Sequence, residues 1–139
     1  RLLSYLLFAV PLSVAFYAEL RRIEQLLKLA EKEQSRVFFL LDEIFKGTNS
    51  RDRYKGGISL INQLSKLHTF GLVSTHDLEL ARTAGIHIPV QQYSFSSRIK
   101  DTTLYFDYKL TYGLCRDFNA SELMKKSGIK ILPELESAS

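Results

Sequence analysis

The most constraining feature of this sequence is a pair of short apolar runs with a helical stretch between them. The first run, RVFFLL at residues 36–41, is rich in branched and aromatic side chains and is followed by Asp42 and Glu43. The second run, residues 70–74, comes just before His76. Short runs of this kind are typical of strands buried on both faces of a parallel sheet. In a strand, helix, strand unit with a right-handed crossover, both strands end at the same edge of the sheet.

Charged and polar side chains therefore follow both predicted strands at the edge where open α/β sheets bind ligands. We expect Asp42, Glu43 and His76 to converge there. In nucleotide hydrolysis, the first of two such carboxylates can hold Mg²⁺ through its water shell, and the second can polarise the attacking water. A neutral imidazole beside them can donate a hydrogen bond to a γ-phosphate. The alternative is structural: Asp42 caps the following turn, Glu43 is solvated, and His76 only ends a strand.

The sequence on either side of the first predicted strand indicates a helix and a loop. Residues 16–33 repeat apolar side chains every three or four positions, as an amphipathic helix does. Residues 46–57 are rich in Gly, Asn and Ser and predict a loop, and helical spacing resumes at Ile58. Acidic and basic side chains alternate on the first helix, which predicts a solvated, ion-paired face rather than a DNA groove: Glu19, Arg21, Arg22, Glu24, Lys28 and Glu31.

Beyond Pro89 the hydrophobic period changes to two, which predicts a β-hairpin with its turn at Lys100 and Asp101. A last helix is expected to start near Asn119 or Ser121. The predicted fold class is therefore α/β, with a mainly parallel sheet flanked by helices and a C-terminal β-hairpin.

Composition narrows the classes of function. The 139 residues fit one domain or part of a larger one, and 45% hydrophobic residues exclude disorder for most of the chain. Nineteen Lys and Arg against fifteen Asp and Glu give a net charge of +4, which permits contact with nucleic acid or nucleotide phosphate without requiring it. The single cysteine, Cys115, can form neither an internal disulfide nor a structural zinc site, and this favours the cytoplasm.

The start of the chain has three interpretations. Residues 2–18 are almost wholly apolar, which leaves open a signal peptide or a membrane anchor. The run contains Pro11 and stops at Glu19, short of the roughly 20 residues of a bilayer span. A buried strand that leads into the first helix fits at least as well, and we expect no membrane partner. Because the sequence starts without Met, a truncated or misread gene start is the third interpretation.

The stretch FFLLDEIFKGTNSRDR (residues 38–53), followed by GLVSTHDLELA (residues 71–81), resembles the ATPase domain of the MutS family of DNA mismatch-repair proteins. In that family these motifs carry the Walker B acids, the D-loop and a switch histidine. The resemblance implies Asp42 as the Mg²⁺ residue, Glu43 as the general base and His76 as the γ-phosphate sensor.

The resemblance also implies a D-loop that faces a partner subunit. Its residues here are Thr48, Asn49 and Asp52. Phe45 and Lys46 stand where the best-known members have Gly and Arg, and Arg53 stands where they have Gly. These departures resemble a divergent MutS-like subgroup more than the main mismatch-recognition enzymes.

Upstream, FYAEL (residues 16–20) is similar to the helix that carries the family's ABC-type signature. A serine normally lies two residues before the Phe, where the helix N-terminus favours the partner's γ-phosphate. This chain has Val14 there, and Ser13 is one residue further away. Ser13 is therefore the candidate signature residue, with a simple N-cap as the alternative. Residues 106–129 look like the hairpin and closing helix of the same domain.

No two of the seven glycines stand five residues apart, so the chain has no G-x-x-x-x-G-K-[ST] phosphate loop. The resemblance implies that this loop lies in an earlier segment. Residues 13–139 are then the C-terminal part of a P-loop, ABC-type ATPase domain, behind an apolar leader at residues 1–12. The implied ligands are ATP and Mg²⁺. The implied partners are a second ATPase subunit in a homodimer and DNA held by other domains. The alternative is a noncatalytic dimerisation or interaction module derived from a MutS-like protein.

Overall fold

The computed structural model describes residues 14–32, 36–101, 103–115 and 120–133. The chain divides into two compact units, Arg1–Val90 and Gln91–Ser139. The leader predicted at residues 1–12 and the candidate Ser13 lie outside the described residues. Among the helices of these ranges, none combines the length and the apolar character that a bilayer span requires.

The first unit contains the predicted alternation of strands and helices. Its elements are α1 (Val14–Glu31), β1 (Val37–Asp42), α2 (Ser50–Ser65), β2 (Thr69–Ser74) and α3 (Leu78–His87). β1 and β2 pair in parallel, with Val37 opposite Thr69 and Asp42 opposite Ser74. The described fold is mixed α/β with four helices and two small sheets, one parallel and one antiparallel. A larger, mainly parallel sheet is not seen within the described residues.

The core of this unit lies on one face of β1. The buried members come from α1, β1, the segment after β1, and α2: Ile23, Ala30, Val37, Ile44, Phe45, Leu60 and Leu64. Side chains at alternate positions of β1 face this core, since successive residues of a strand point to opposite faces. The core therefore fixes the position of the end of β1 relative to both helices.

The opposite face of the parallel pair is exposed. Phe38 and Leu40 of β1 are 55% and 67% exposed, and Phe70 and Leu72 of β2 are 61% and 67% exposed. The Phe38 and Phe70 rings contact each other, with centroids 5.1 Å apart. The prediction that both strands are buried on both faces is therefore wrong for the described residues. The reason is that α1 and α2 both contribute to the core on the other face, and no other described element of this unit covers the apolar side chains here.

The predicted loop over residues 46–57 is also wrong from Ser50 onward, because α2 begins there. Gly57 lies inside the helix, where a Cβ would stand 2.8 Å from Leu80 Cδ1. Glycine is thus present to let α2 approach α3. Glycine inside a helix is about 1 kcal/mol less stable than alanine, and the close contact between α2 and α3 outweighs this cost.

The second unit is built on an antiparallel hairpin. Its elements are β3 (Tyr93–Lys100), β4 (Thr103–Tyr112) and α4 (Ala120–Lys126). The predicted turn at Asp101 is confirmed, with a left-handed φ of 49°. The predicted simple alternation on β4 is wrong, because Phe95 pairs with Leu110 while Ser97 pairs with Phe106. The additional residues of β4 form a bulge that includes Tyr108, whose φ is 54°.

Candidate functional site

β1 and β2 end side by side because they are parallel and in register. Asp42, the last residue of β1, lies opposite Ser74, the last residue of β2. The Ser74 hydroxyl donates a hydrogen bond to Asp42 Oδ1. The Glu43 N–H continues the ladder by donating to the Ser74 carbonyl oxygen at 3.0 Å. Both acids are thereby fixed to the end of the neighbouring strand.

The structure brings His76 to the same edge. Its Nε2 lies 3.3 Å from Glu43 Oε1. The Glu43 side chain is only 18% exposed, whereas the His76 side chain is 93% exposed. Of the predicted site residues, Glu43 and His76 are therefore in contact, whereas the contact shown for the Asp42 carboxylate is with Ser74. The arrangement pairs a shielded carboxylate with an imidazole that is free to meet a ligand arriving from solvent.

The backbone after β1 is left-handed at two residues that are not glycine. Glu43 has φ of 49° and Phe45 has φ of 61°. Such conformations cost about 1–3 kcal/mol each and persist only where the surroundings fix them. Phe45 is 7% exposed, and its ring packs edge-on to Phe16 with centroids 6.2 Å apart. Its N–H donates to Glu19 Oε1 at 2.7 Å.

The contact from Glu19 is a feature that the sequence analysis missed. Helical spacing indicates which face of α1 is apolar, and it assigned Glu19 to a solvated, ion-paired face. The side chain instead reaches the backbone of a segment 26 residues away. The one available signal was Phe45 itself, because the resemblance implies glycine at this position and a bulky residue there requires a compensating contact.

The predicted D-loop residues form the start of α2. Asn49 caps the helix: its Oδ1 accepts the Asp52 N–H at 2.9 Å, and its Nδ2 donates to Asp52 Oδ2 at 2.7 Å. The Thr48 N–H donates to the Phe45 carbonyl oxygen at 3.4 Å. Asn49 and Asp52 are exposed and Thr48 is half-buried. Their orientation toward a partner subunit stays a prediction.

A polar cleft of about 600 Å³ lies between the starts of α2 and α3. It is lined by Ser50, Arg51, Arg53, Tyr54, His76, Asp77, Leu78 and Glu79. Arg53 Nε is buried 3.9 Å from Asp77 Oδ2 and makes no hydrogen bond with the described residues. Tyr54 donates to Thr83 Oγ1 at 2.9 Å, which ties the two helices together. Of the predicted site residues that the structure describes, His76 is the one that lines this cleft.

The carboxylate of Asp42 is compatible with Mg²⁺. Within the described ranges, no group of three or more His, Cys, Asp or Glu side chains could form a complete metal cage. Mg²⁺ does not require one, because it keeps several waters and binds through one or two carboxylates and the phosphates of a nucleotide. Asp42 is exposed at the strand end and has the Ser74 hydroxyl beside it. This donor set fits a magnesium ion that arrives with a nucleotide.

Comparison with known proteins shows which family this chain resembles. The family described as MutS domain V matches residues 11–133 of this chain. MutS protein homolog 4 of Mus musculus is 31% identical over 114 residues, which cover 77% of this chain and 12% of that relative. MutS protein homolog 4 of Homo sapiens is 30% identical over 128 residues, which cover 87% of this chain and 13% of that relative.

The chain therefore spans about an eighth of the length of these two relatives. The family match covers most of the chain and includes both strand ends. The predicted resemblance to a divergent MutS-like form is confirmed by the family match and by these relatives at about 30% identity. The chain belongs to the MutS family, as a divergent MutS-like form of its domain V, the C-terminal ATPase region.

Proposed function

We propose that this chain is the C-terminal part of an ATP-hydrolysing domain in a MutS-like protein. ATP binding and hydrolysis in the complete protein then control its binding to DNA, either mismatched or branched. The observation that carries the proposal is the shared edge of two parallel, in-register strands, where Asp42 lies opposite Ser74 and Glu43 contacts His76. In this proposal residues 13–139 are part of the ATPase domain, residues 1–12 are a separate leader, and the protein acts in the cytoplasm.

Glu43 is the general base of the proposed reaction. Its carboxylate takes a proton from the water that attacks the γ-phosphorus in line with the β–γ bridging oxygen. The bond to that oxygen breaks, and ADP and phosphate are released. The low exposure of the Glu43 side chain supports this role. A shielded carboxylate is held in one position and is less hydrated by bulk solvent. His76, more exposed and 3.3 Å away, donates a hydrogen bond to the γ-phosphate.

Asp42 is the residue that would hold Mg²⁺. When bound, this ion neutralises the negative charge that develops on the β- and γ-phosphate oxygens. The Ser74 hydroxyl orients the Asp42 carboxylate by hydrogen bonding to Oδ1. This chain thus contributes to the proposed Mg²⁺ site a carboxylate that is held in position at the end of a strand.

A second ATPase subunit completes the proposed site. Thr48, Asn49 and Asp52 at the start of α2 face this subunit, and the hydrogen bonds between Asn49 and Asp52 give that surface a fixed shape. Ser13, before α1, contacts the γ-phosphate bound by the partner. DNA is held by other domains of the complete protein.

The test of the proposal is Glu43→Gln in the complete ATPase domain, with this chain joined to the segment that carries the phosphate loop. We expect hydrolysis to fall by about 10²–10⁴-fold, because the amide cannot accept the proton, while ATP affinity stays within a few-fold. Glu31→Gln is the matched control, because Glu31 is an exposed carboxylate on α1. Unchanged turnover in Glu43→Gln would show that this carboxylate is not the base.

The second candidate function is a noncatalytic dimerisation or interaction module. It is favoured by one observation, the lack of a phosphate loop in the 139 residues. Supplying the missing segment separates the two functions. Restored hydrolysis supports the ATPase, whereas association with a partner subunit without hydrolysis supports the interaction module.

A further inference from the structure

Glu19 makes an unusual contact for a charged residue on an amphipathic helix. Its Oε1 accepts a hydrogen bond from the backbone N–H of Phe45 at 2.7 Å, and the contact is partly buried. Glu24, one and a half turns further along α1, behaves as an ordinary surface acid. It pairs with Lys28 at 2.6 Å, and that hydrogen bond lowers the pKa of Glu24. The two glutamates share a helix but have different partners.

The segment that Glu19 contacts is the one that follows the proposed general base. Glu43 and Phe45 both have left-handed φ angles, of 49° and 61°. Residues other than glycine rarely adopt this region unless the surrounding structure holds them there. A hydrogen bond to a carboxylate is stronger than one between neutral groups, so the contact from Glu19 is suited to hold such a backbone.

Hydrogen bonds from two main-chain N–H groups, those of Glu43 and Phe45, hold this segment. The N–H of Glu43 donates to the Ser74 carbonyl oxygen at 3.0 Å. The N–H of Phe45, two residues further on, donates to Glu19. One anchor comes from β2 and the other from α1. With both in place, the Glu43 side chain is held beside His76; with one removed, the backbone between Glu43 and Phe45 can return to a more usual conformation.

We propose that Glu19 is a positioning residue that holds the segment Glu43–Phe45 and thereby orients the Glu43 carboxylate for proton abstraction. The catalytic part of this inference rests on the proposed function, whereas the anchoring of the segment does not.

The anchoring is tested on the 139-residue chain by hydrogen exchange of the Phe45 amide, measured by NMR. Glu19→Met removes the acceptor at similar length, and we expect exchange at least about tenfold faster. Glu19→Gln keeps an acceptor oxygen and should stay within about threefold of the parent chain. Glu24→Met is the matched control on the same helix and should leave this amide unchanged.

Equal protection of the Phe45 amide in Glu19→Met and the parent chain would overturn the anchoring. So would equal loss in Glu19→Met and Glu24→Met. Glu19→Asp provides a second variant if the Met variant does not fold, because it keeps the charge but is one methylene too short to reach. Faster exchange in Glu19→Asp supports the anchor, and unchanged exchange counts against it.

The positioning role is tested in the complete ATPase domain. Glu19→Met should lower kcat by about tenfold or more, with the half-saturating ATP concentration within about threefold, and Glu19→Gln should restore most of the rate. Glu43→Gln is measured alongside. If Glu43→Gln does not slow hydrolysis, the proposed function fails. If it does while Glu19→Met does not, the positioning role fails and the proposed function stands.

Discussion

Phe45 shows how two opposed energies are balanced at a single residue. Its φ of 61° lies in the left-handed region that favours glycine. Its ring is nevertheless almost fully buried, in contact with Phe16 and close to Gly56. The burial of a large aromatic side chain is worth more than the backbone conformation costs, so the chain keeps a Phe where glycine would be conformationally easier.

This balance predicts that Phe45→Gly destabilises the protein although it relieves the left-handed backbone. Loss of the buried ring costs about 3–5 kcal/mol, and the relief returns about 1–2 kcal/mol, so we expect a net loss of about 1–4 kcal/mol. Chemical denaturation of the two chains measures the difference. A Gly variant that is more stable than the parent chain would mean that backbone strain, and not packing, dominates here.

At the scale of elements, the glycines of α2 serve packing. A Cβ at Gly57 would stand 2.8 Å from a methyl of Leu80, which is only 1% exposed and has no room to move. A Cβ at Gly56 would stand 3.2 Å from the Phe45 ring, a smaller conflict. Substitution by alanine gives the same gain in helix propensity at both positions. Only at Gly57 does the new methyl group conflict with the contact between α2 and α3.

We expect Gly57→Ala to destabilise the protein, by up to about 2 kcal/mol, because overpacking against Leu80 exceeds the gain in helix propensity. Gly56→Ala is the matched comparison and should lie closer to zero, since the same gain offsets a milder contact. Thermal melting of both variants shows which of the two is less stable. If the two variants are equally stable, the close contact of α2 and α3 at Gly57 does not limit side-chain size.

The elements show what could be predicted from sequence and what could not. The runs at residues 36–41 and 70–74 predicted two strands and their common edge, because that edge depends only on chain direction and parallel pairing. The same runs did not reveal that Phe38 and Leu72 are exposed, because an apolar strand reads alike whether one face or both are covered. The loop prediction failed at Gly57, because a high content of glycine indicates a flexible backbone and does not reveal that a small residue is needed between two helices. Glu19 was missed because its partner is distant in sequence.

At the scale of the whole molecule, the chain supplies only part of a nucleotide site. In the proposed function Asp42, Glu43 and His76 contact magnesium, water and the γ-phosphate, but the lysine and backbone amides of a phosphate loop are not in the sequence. We therefore expect the isolated chain to bind Mg-ATP weakly and to show no measurable turnover, because most phosphate contacts are missing. Calorimetric titration measures the affinity, and a micromolar Kd would contradict the prediction.

The register of β1 and β2 also limits where residues can be inserted or deleted in this protein. A strand that gains or loses one residue turns every later side chain to the opposite face. Such a change within Val37–Asp42 would exchange the sides on which the two carboxylates lie and would separate Asp42 from Ser74. Single-residue insertions and deletions should therefore be excluded from both strands during evolution, whereas the connections away from this edge are free to vary.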